Sequence, residues 1–191
     1  MAGARKRRVI VAFSGASGPE YPLRILELLA GMGVESHFVM SRSAKVSLAH
    51  ESDLKVRDFE DRATRVYDNA DIAAPIASGS FLTDGMIIAP CSAKSLGEIA
   101  AGIGGTLIAR AADVVLKERR RLVLMLRETP LNLIHCRNMV TVTEAGGIVM
   151  PPVPAFYPRP QTVQEIIDHS AGRALDLLGL HSDAVDRWKD G

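Results

Sequence analysis

Residues 8–33 read RVIVAFSGASGPEYPLRILELLAGMG, and their pattern decides the fold. The run ending at Phe13 is short and β-branched, which predicts a strand. SGASG follows, from Ser14 to Gly18, and then apolar residues at helical spacing that stop at Gly33. The same alternation continues outward. VESHFVM (34–40) predicts a second strand and SRSAKVSLAHES a second helix. GMIIAP (85–90) predicts a third strand, followed by two helices, CSAKSLGEIAAG and LIARAADVVLKERR, split by Gly102, Gly104 and Gly105. LVLML (122–126) predicts a fourth strand and NLIHCRNMVTVTEAG a helix. GIVMPPVPAFYPRPQ predicts a short strand running into a proline-rich loop, and TVQEIIDHSAGRALDLLGL an amphipathic terminal helix. Residues 53–84 are mixed and polar, with Pro75 and the run Ala77-Ser78-Gly79-Ser80, and predict a long functional loop region. Strands alternating with helices imply an α/β fold with a mainly parallel sheet covered on both faces.

Length and charge bound the rest. The 191 residues suit one domain, with a basic tail over 1–7 and a terminal helix and tail over 162–191. An apolar share of 47% predicts an ordered globule. The net charge of +1 gives no bulk attraction to nucleic acid or an anionic membrane. The basic opening run predicts a frayed, solvated terminus, and no segment is long enough to span a bilayer. Cys91 and Cys136 form no disulfide framework, and five scattered histidines show no ligand spacing. A cytoplasmic protein without a metal site is expected.

The segments after the strands are SGASG, MSRS, PCSAKS, RETP and PPVPAFY. All are polar, glycine-rich or proline-rich. Ligands of open α/β sheets bind outside the carboxyl ends of the strands, so these five segments predict one binding edge. Small residues at Gly15 and Ala16 let backbone approach a ligand, and Ser17 adds a hydroxyl; a plain tight turn is the other reading, because GxGxxG is absent. Ser41 or Ser43 caps the next helix or meets a phosphate. Glu51, taken alone, reads as a solvated carboxylate. Ser92 is placed to cap a helix and meet a ligand, Ser95 offers a further hydroxyl, and Cys91 reads as a small buried residue rather than a nucleophile. Lys117, at a basic helix end, either sits in solvent or reaches a phosphate. Arg127 and Glu128 end a buried strand and point to opposite faces, so each needs its own partner. Arginine suits bidentate phosphate binding, and a carboxylate beside a phosphate can orient a substrate or move a proton.

These segments resemble the UbiX family, the flavin prenyltransferases. The resemblance spans residues 8–188. It rests on GASG (15–18), the Ser41…Glu51 spacing, ASGS (77–80), APCSxKSL (89–96), RAADVxLKERRxLVLxxRExP (110–130), PxPAFYxxPQ (152–161), Arg173 and Trp188. It implies a Rossmann-like or flavodoxin-like three-layer subunit that binds reduced FMN as prenyl acceptor and dimethylallyl monophosphate as donor. The implied product is prenylated FMN, joined at flavin N5 and closed at C6, for a UbiD-type decarboxylase. Homo-dodecamers with sites at subunit interfaces are implied, and no metal. The implied catalytic residues are Ser17, Glu51, Lys117 and Glu128. Gly15, Ala16, Ser17, Ser41, Ser92, Ser95 and Arg127 are implied for the flavin. Lys117, Glu128, Tyr157 and Arg173 are implied around the substrate phosphate, with Arg110 in a structural or interface role.

One departure stands out. Family members often carry Trp shortly before the ASGS loop, whereas this chain reads NADIAAPIASGS, with Ile72 near that place and Ile76 for a second proline. An aliphatic wall to the prenyl pocket is the expectation. Two other readings compete. One is an FMN-dependent cysteine decarboxylase, whose PASANT-like and PxMNxxMW-like segments are missing here. The other is a non-catalytic FMN carrier, which has no use for a second phosphate site.

Overall fold

The computed structural model describes residues 5–185; Trp188 lies outside them. Six strands form one all-parallel sheet: β1 (Arg8–Phe13), β2 (Glu35–Met40), β3 (Arg65–Asp68), β4 (Gly85–Cys91), β5 (Arg121–Leu126) and β6 (Ile148–Val149). The helices are α1 (Glu20–Gly31), α2 (Arg42–Glu51), α3 (Val56–Glu60), α4 (Ala93–Ala100), α5 (Leu107–Lys117), α6 (Leu133–Glu144) and α7 (Val163–Asp176). The strand order is β3-β2-β1-β4-β5-β6, the Rossmann order, so the winding reverses between β1 and β4.

Alternation along the strands builds two cores. Val9, Val11 and Phe13 of β1 and Val123 and Met125 of β5 face α1, α2, α3 and α7. Ile10, Ala12, Leu122, Leu124 and Leu126 face α4, α5 and α6. All seven residues of β4 are buried, as a central parallel strand requires. Helix α1 buries Pro22, Ile25, Leu26 and Leu29, a stripe at spacings of three and four, and the chain turns out of it at Gly33 with φ +67°.

Two expectations are corrected. Residues 53–84 are not one loop, because α3 and edge strand β3 lie inside them. Phe59 anchors α3 in the first core, and β3 hydrogen-bonds along β2 from His37 to Met40. The basic run is tethered from Arg5 onward rather than frayed. Arg5 bonds Leu82 O (3.0 Å) and the Asp84 carboxylate (2.9 Å), and Arg7 bonds the carbonyls of Leu178 and Gly179 beyond α7. Ile76, which stands for the second proline, is buried in the second core, whereas Ile72, near the tryptophan's place, is exposed, so only Ile72 has a face to offer a ligand. No helix of the described residues is long and apolar enough to cross a membrane.

Candidate functional site: the crevice where the sheet reverses

The carboxyl ends of β1 and β4 diverge into two turns, SGASG and CSAKS, and one hydroxyl ties them together. Ser14 is buried; its Oγ donates to Pro90 O (3.0 Å) and accepts from Ser92 N–H (2.8 Å). Ser92 then caps α4, its Oγ accepting from Ser95 N–H at 3.2 Å. Ser41 caps α2 by accepting from Ala44 N–H at 3.0 Å, and lies 3.1 Å from Ser43 Oγ. Two helix N-termini with their positive dipole ends therefore open on the crevice.

Gly15 is required by close approach, since a Cβ there would collide with the Ser43 side chain. Gly18 adopts φ +107°, and its N–H donates to Glu51 Oε2 at 3.1 Å, so the last residue of α2 is held beside the turn that carries Ser17. Arg127 N–H donates to Cys91 O at 2.9 Å, which fixes the start of RETP against the end of β4. Arg127 continues the Val123–Met125 face and, with Ser17, Gly18, Tyr21, Pro152 and Ile167, lines a cavity of about 400 Å³. Glu128 caps its own neighbour, accepting from Thr129 N–H at 3.0 Å, and is not among the residues that line this cavity.

Ser14 and Tyr21 were not singled out from the sequence. Tyr21 lies in the first turn of α1, with its ring against Gly18. Burial, then the Glu20 charge, raises its phenol above the ordinary value, and Arg127 pulls the other way. An aromatic three residues past the glycine turn is the signal that could have marked it. Cys91 is fully buried and pushed up to about 12, which fits packing and not nucleophilic attack.

Ser17, Ser41, Glu51, Ser92, Ser95 and Arg127 thus share the carboxyl edge of one subunit. Gly15 and Ala16 in the Ser17 turn and Glu128 after Arg127 lie on the same edge, whereas Lys117, Tyr157 and Arg173 do not line the Arg127 cavity. Lys117 ends α5 and so sits at the opposite, amino edge, where β5 begins. Its Nζ is 2.6 Å from Glu118 Oε1, and Gly79 of the ASGS loop presses on both. That contact, with some help from Arg120, holds the Glu118 carboxyl below its usual range. Arg110 bonds Ala77 O and Asp113 nearby. Tyr157 Oη lies 2.8 Å from His169 Nε2, and Arg173 stands one turn further along α7.

A doubly wound sheet with glycine- and serine-rich turns at its reversal point defines the class: an α/β protein built to hold a phosphate-bearing cofactor. The chain belongs to the Flavoprotein family, whose model matches residues 2–175, and within it to the UbiX flavin prenyltransferases. It is 52% identical to flavin prenyltransferase UbiX of Thauera aromatica over 181 residues, covering 95% of this chain and 93% of the relative. It is similar to crystalline AnUbiX (PadA1) in complex with FMN and dimethylallyl pyrophosphate, with TM-score 0.95 and 46% identity over 98% of this chain and 100% of that one. A dodecameric FMN-dependent UbiX-like decarboxylase from Escherichia coli O157:H7 matches with TM-score 0.92 and 45% identity, over 95% of this chain and 99% of that one.

Proposed function

We propose that this flavin prenyltransferase moves the dimethylallyl group of dimethylallyl monophosphate to N5 of reduced FMN and closes a ring at C6. The product, prenylated FMN, would serve a UbiD-type decarboxylase. The carrying observation is the near-complete likeness to PadA1, a structure in complex with FMN and dimethylallyl pyrophosphate, on a chain whose crevice is lined by a close-approach glycine, serines and an arginine.

The crevice suits FMN. Gly15 lets backbone come close, Ser17, Ser41 and Ser92 offer hydroxyls at helix starts, and Arg127 supplies fixed positive charge. Reduced FMN, when bound, supplies the electron-rich N5 and C6. The chain's own residues handle the phosphate and the protons. As the allylic C–O bond breaks, its electron pair leaves on phosphate oxygen. Lys117, Arg173 and the Tyr157 hydroxyl offset the growing negative charge. Glu128 holds or transfers a proton at the phosphate, and Glu51, anchored through Gly18 beside Ser17, does so near N5.

Lys117 and the crevice occupy opposite edges of one subunit, so the reading requires two copies to complete a site. A homo-dodecamer with shared sites is the assembly proposed. Two free cysteines suit the cytoplasm. Among the described residues no histidine lines the Arg127 cavity, which leaves a cysteine-decarboxylase reading without its imidazole there.

The test is anaerobic incubation with reduced FMN and prenyl donors, followed by mass analysis of the released flavin. A flavin heavier by one prenyl unit is expected with the monophosphate. Product from the pyrophosphate alone would correct the donor, and no new flavin mass with prenyl phosphates of any length would overturn the activity.

A further inference from the structure

Near its C-terminal end, α7 carries an ion pair unlike the others on the surface. Arg173 Nη1 donates to Asp176 Oδ2 at 2.7 Å, while the other carboxylate oxygen, Oδ1, is 2.7 Å from His181 Nδ1. The Asp176 side chain is 5% exposed and the Arg173 side chain 42%. By contrast, the helical pair Arg57–Asp61 is 84% and 65% exposed, so both of its partners are free to leave. In the α7 pair the anion is the buried, doubly held member, and the cation reaches outward from it. A carboxylate held on both oxygens restrains the guanidinium through one short charge-assisted hydrogen bond. Among the described residues the Arg173 guanidinium makes no other hydrogen bond, so its remaining donors are open to a ligand. Arg173 also follows His169 by four residues, and His169 meets the Tyr157 hydroxyl, so both phosphate-binding candidates stand along one face of α7.

We propose that Asp176 is a positioning residue for prenyl transfer: it aims the Arg173 guanidinium at the substrate phosphate, with His181 fixing its far oxygen. This rests on the reading of Arg173 as a phosphate ligand. A loose arginine must lose side-chain entropy on binding a phosphate, whereas an arginine held by Asp176 has already lost it. Asp176 therefore acts on substrate affinity through Arg173 and does not touch substrate.

The test is a double-mutant cycle of Asp176→Asn and Arg173→Ala in the full-length, FMN-saturated protein, measuring the KM for dimethylallyl monophosphate, kcat and the FMN dissociation constant. Asp176→Asn is expected to raise KM about tenfold, the scale of one weakened charge-assisted hydrogen bond, with FMN affinity unchanged. In the Arg173→Ala background the same change should add less than about twofold, because its route of action is gone. If Asp176→Asn does not fold, Asp176→Glu, which keeps the charge and shifts it by one methylene, takes its place with the same expected rise. A KM within about twofold of the parent for the folded variant overturns the proposal, as does a full additional effect in the Arg173→Ala background. An unchanged KM in Arg173→Ala alone overturns instead the reading of Arg173 as a phosphate ligand.

Discussion

The two edges of the sheet are built on different principles. At the carboxyl edge, parallel topology delivers the crevice residues to one place, and backbone geometry locks them there. Ser14 ties two turns, Gly18 holds Glu51, and Arg127 N–H is bound to Cys91 O. At the amino edge, Lys117 and Arg120 gather around Gly79, with Arg110 of the same helix holding Ala77 O, but none of their contacts among the described residues reaches Ser17 or Arg127. One half of the proposed site is complete within the chain, and the other half has meaning only if a second copy is set against it. On the proposed reading, a binding function resides in one subunit, whereas turnover requires assembly.

The largest effect that would break this division is at Glu128, which caps Thr129 and is not among the residues lining the Arg127 cavity. Glu128→Gln should keep FMN affinity and lower kcat by about 100-fold, the low end for a removed proton-transfer group. Titration with FMN alongside single-turnover kinetics checks both. Equal turnover in variant and parent would remove Glu128 from the reaction.

Complementation between copies comes next. Arg127→Ala and Lys117→Ala proteins should each be inactive. Co-assembled in equal amounts, they should recover up to about one quarter of parental activity, since half the copies are intact at each contribution. No recovery in verified mixed assemblies would place both residues in one subunit's site and contradict the separation seen along α5.

A smaller change probes the crevice alone. Gly15→Ala drives a methyl into Ser43, and overpacking of this kind costs about 1–3 kcal/mol. Lower FMN affinity and a lower Tm are expected. Gly31→Ala, where an added Cβ meets nothing within 4 Å, should change neither FMN affinity nor turnover. Equal FMN binding in both variants would show that the Gly15–Ser43 approach does not shape the crevice.

Much of this was legible before any coordinates. The strand–turn–helix unit of residues 8–33 carries its periodicity openly, and a parallel sheet brings the five strand-end segments to one edge. The opposed directions expected of Arg127 and Glu128 assumed a strand that reached them, whereas β5 ends at Leu126. Strand β3 was hidden for a physical reason. RVYD is four residues with three of them exposed, so it shows no apolar run, and its pairing is dictated by β2 rather than by its own composition. Ser14 was hidden because one hydroxyl in a serine-rich turn looks like any other until the partner strand is placed. The Arg173–Asp176 spacing reads as an ordinary helix pair, and only the fold reveals that one partner is buried.

The smallest effect concerns a buried group remote from the crevice. His37 is 2% exposed, with Nδ1 2.8 Å from Tyr67 Oη and Nε2 3.0 Å from Glu35 Oε1. Because the carboxylate accepts, Nε2 carries the hydrogen and Nδ1 receives the tyrosine's. Burial lowers its pKa below the ordinary 6.5; Glu35 opposes this, and Arg8 and Arg65 reinforce it. Between the folded value and 6.5 the unfolded chain holds a proton that the folded chain does not, so stability should fall as pH drops below about 6.5 and level off beneath the folded value. Glu35 acts in a lower window. Burial alone would raise it, but Arg8 and His37 outweigh that and hold it below 4.5, so its contribution fades only as pH falls through that lower value. His37→Gln removes the first window and narrows the second, which then rests on Arg8. Urea midpoints of the FMN-saturated protein between about pH 7.5 and 5.5 should decline for the parent and stay flatter for the variant, while FMN affinity is the same in both. Parallel curves would mean that His37 folds with its proton, and a matching drop in FMN affinity would mean that this network and the crevice are one unit rather than two.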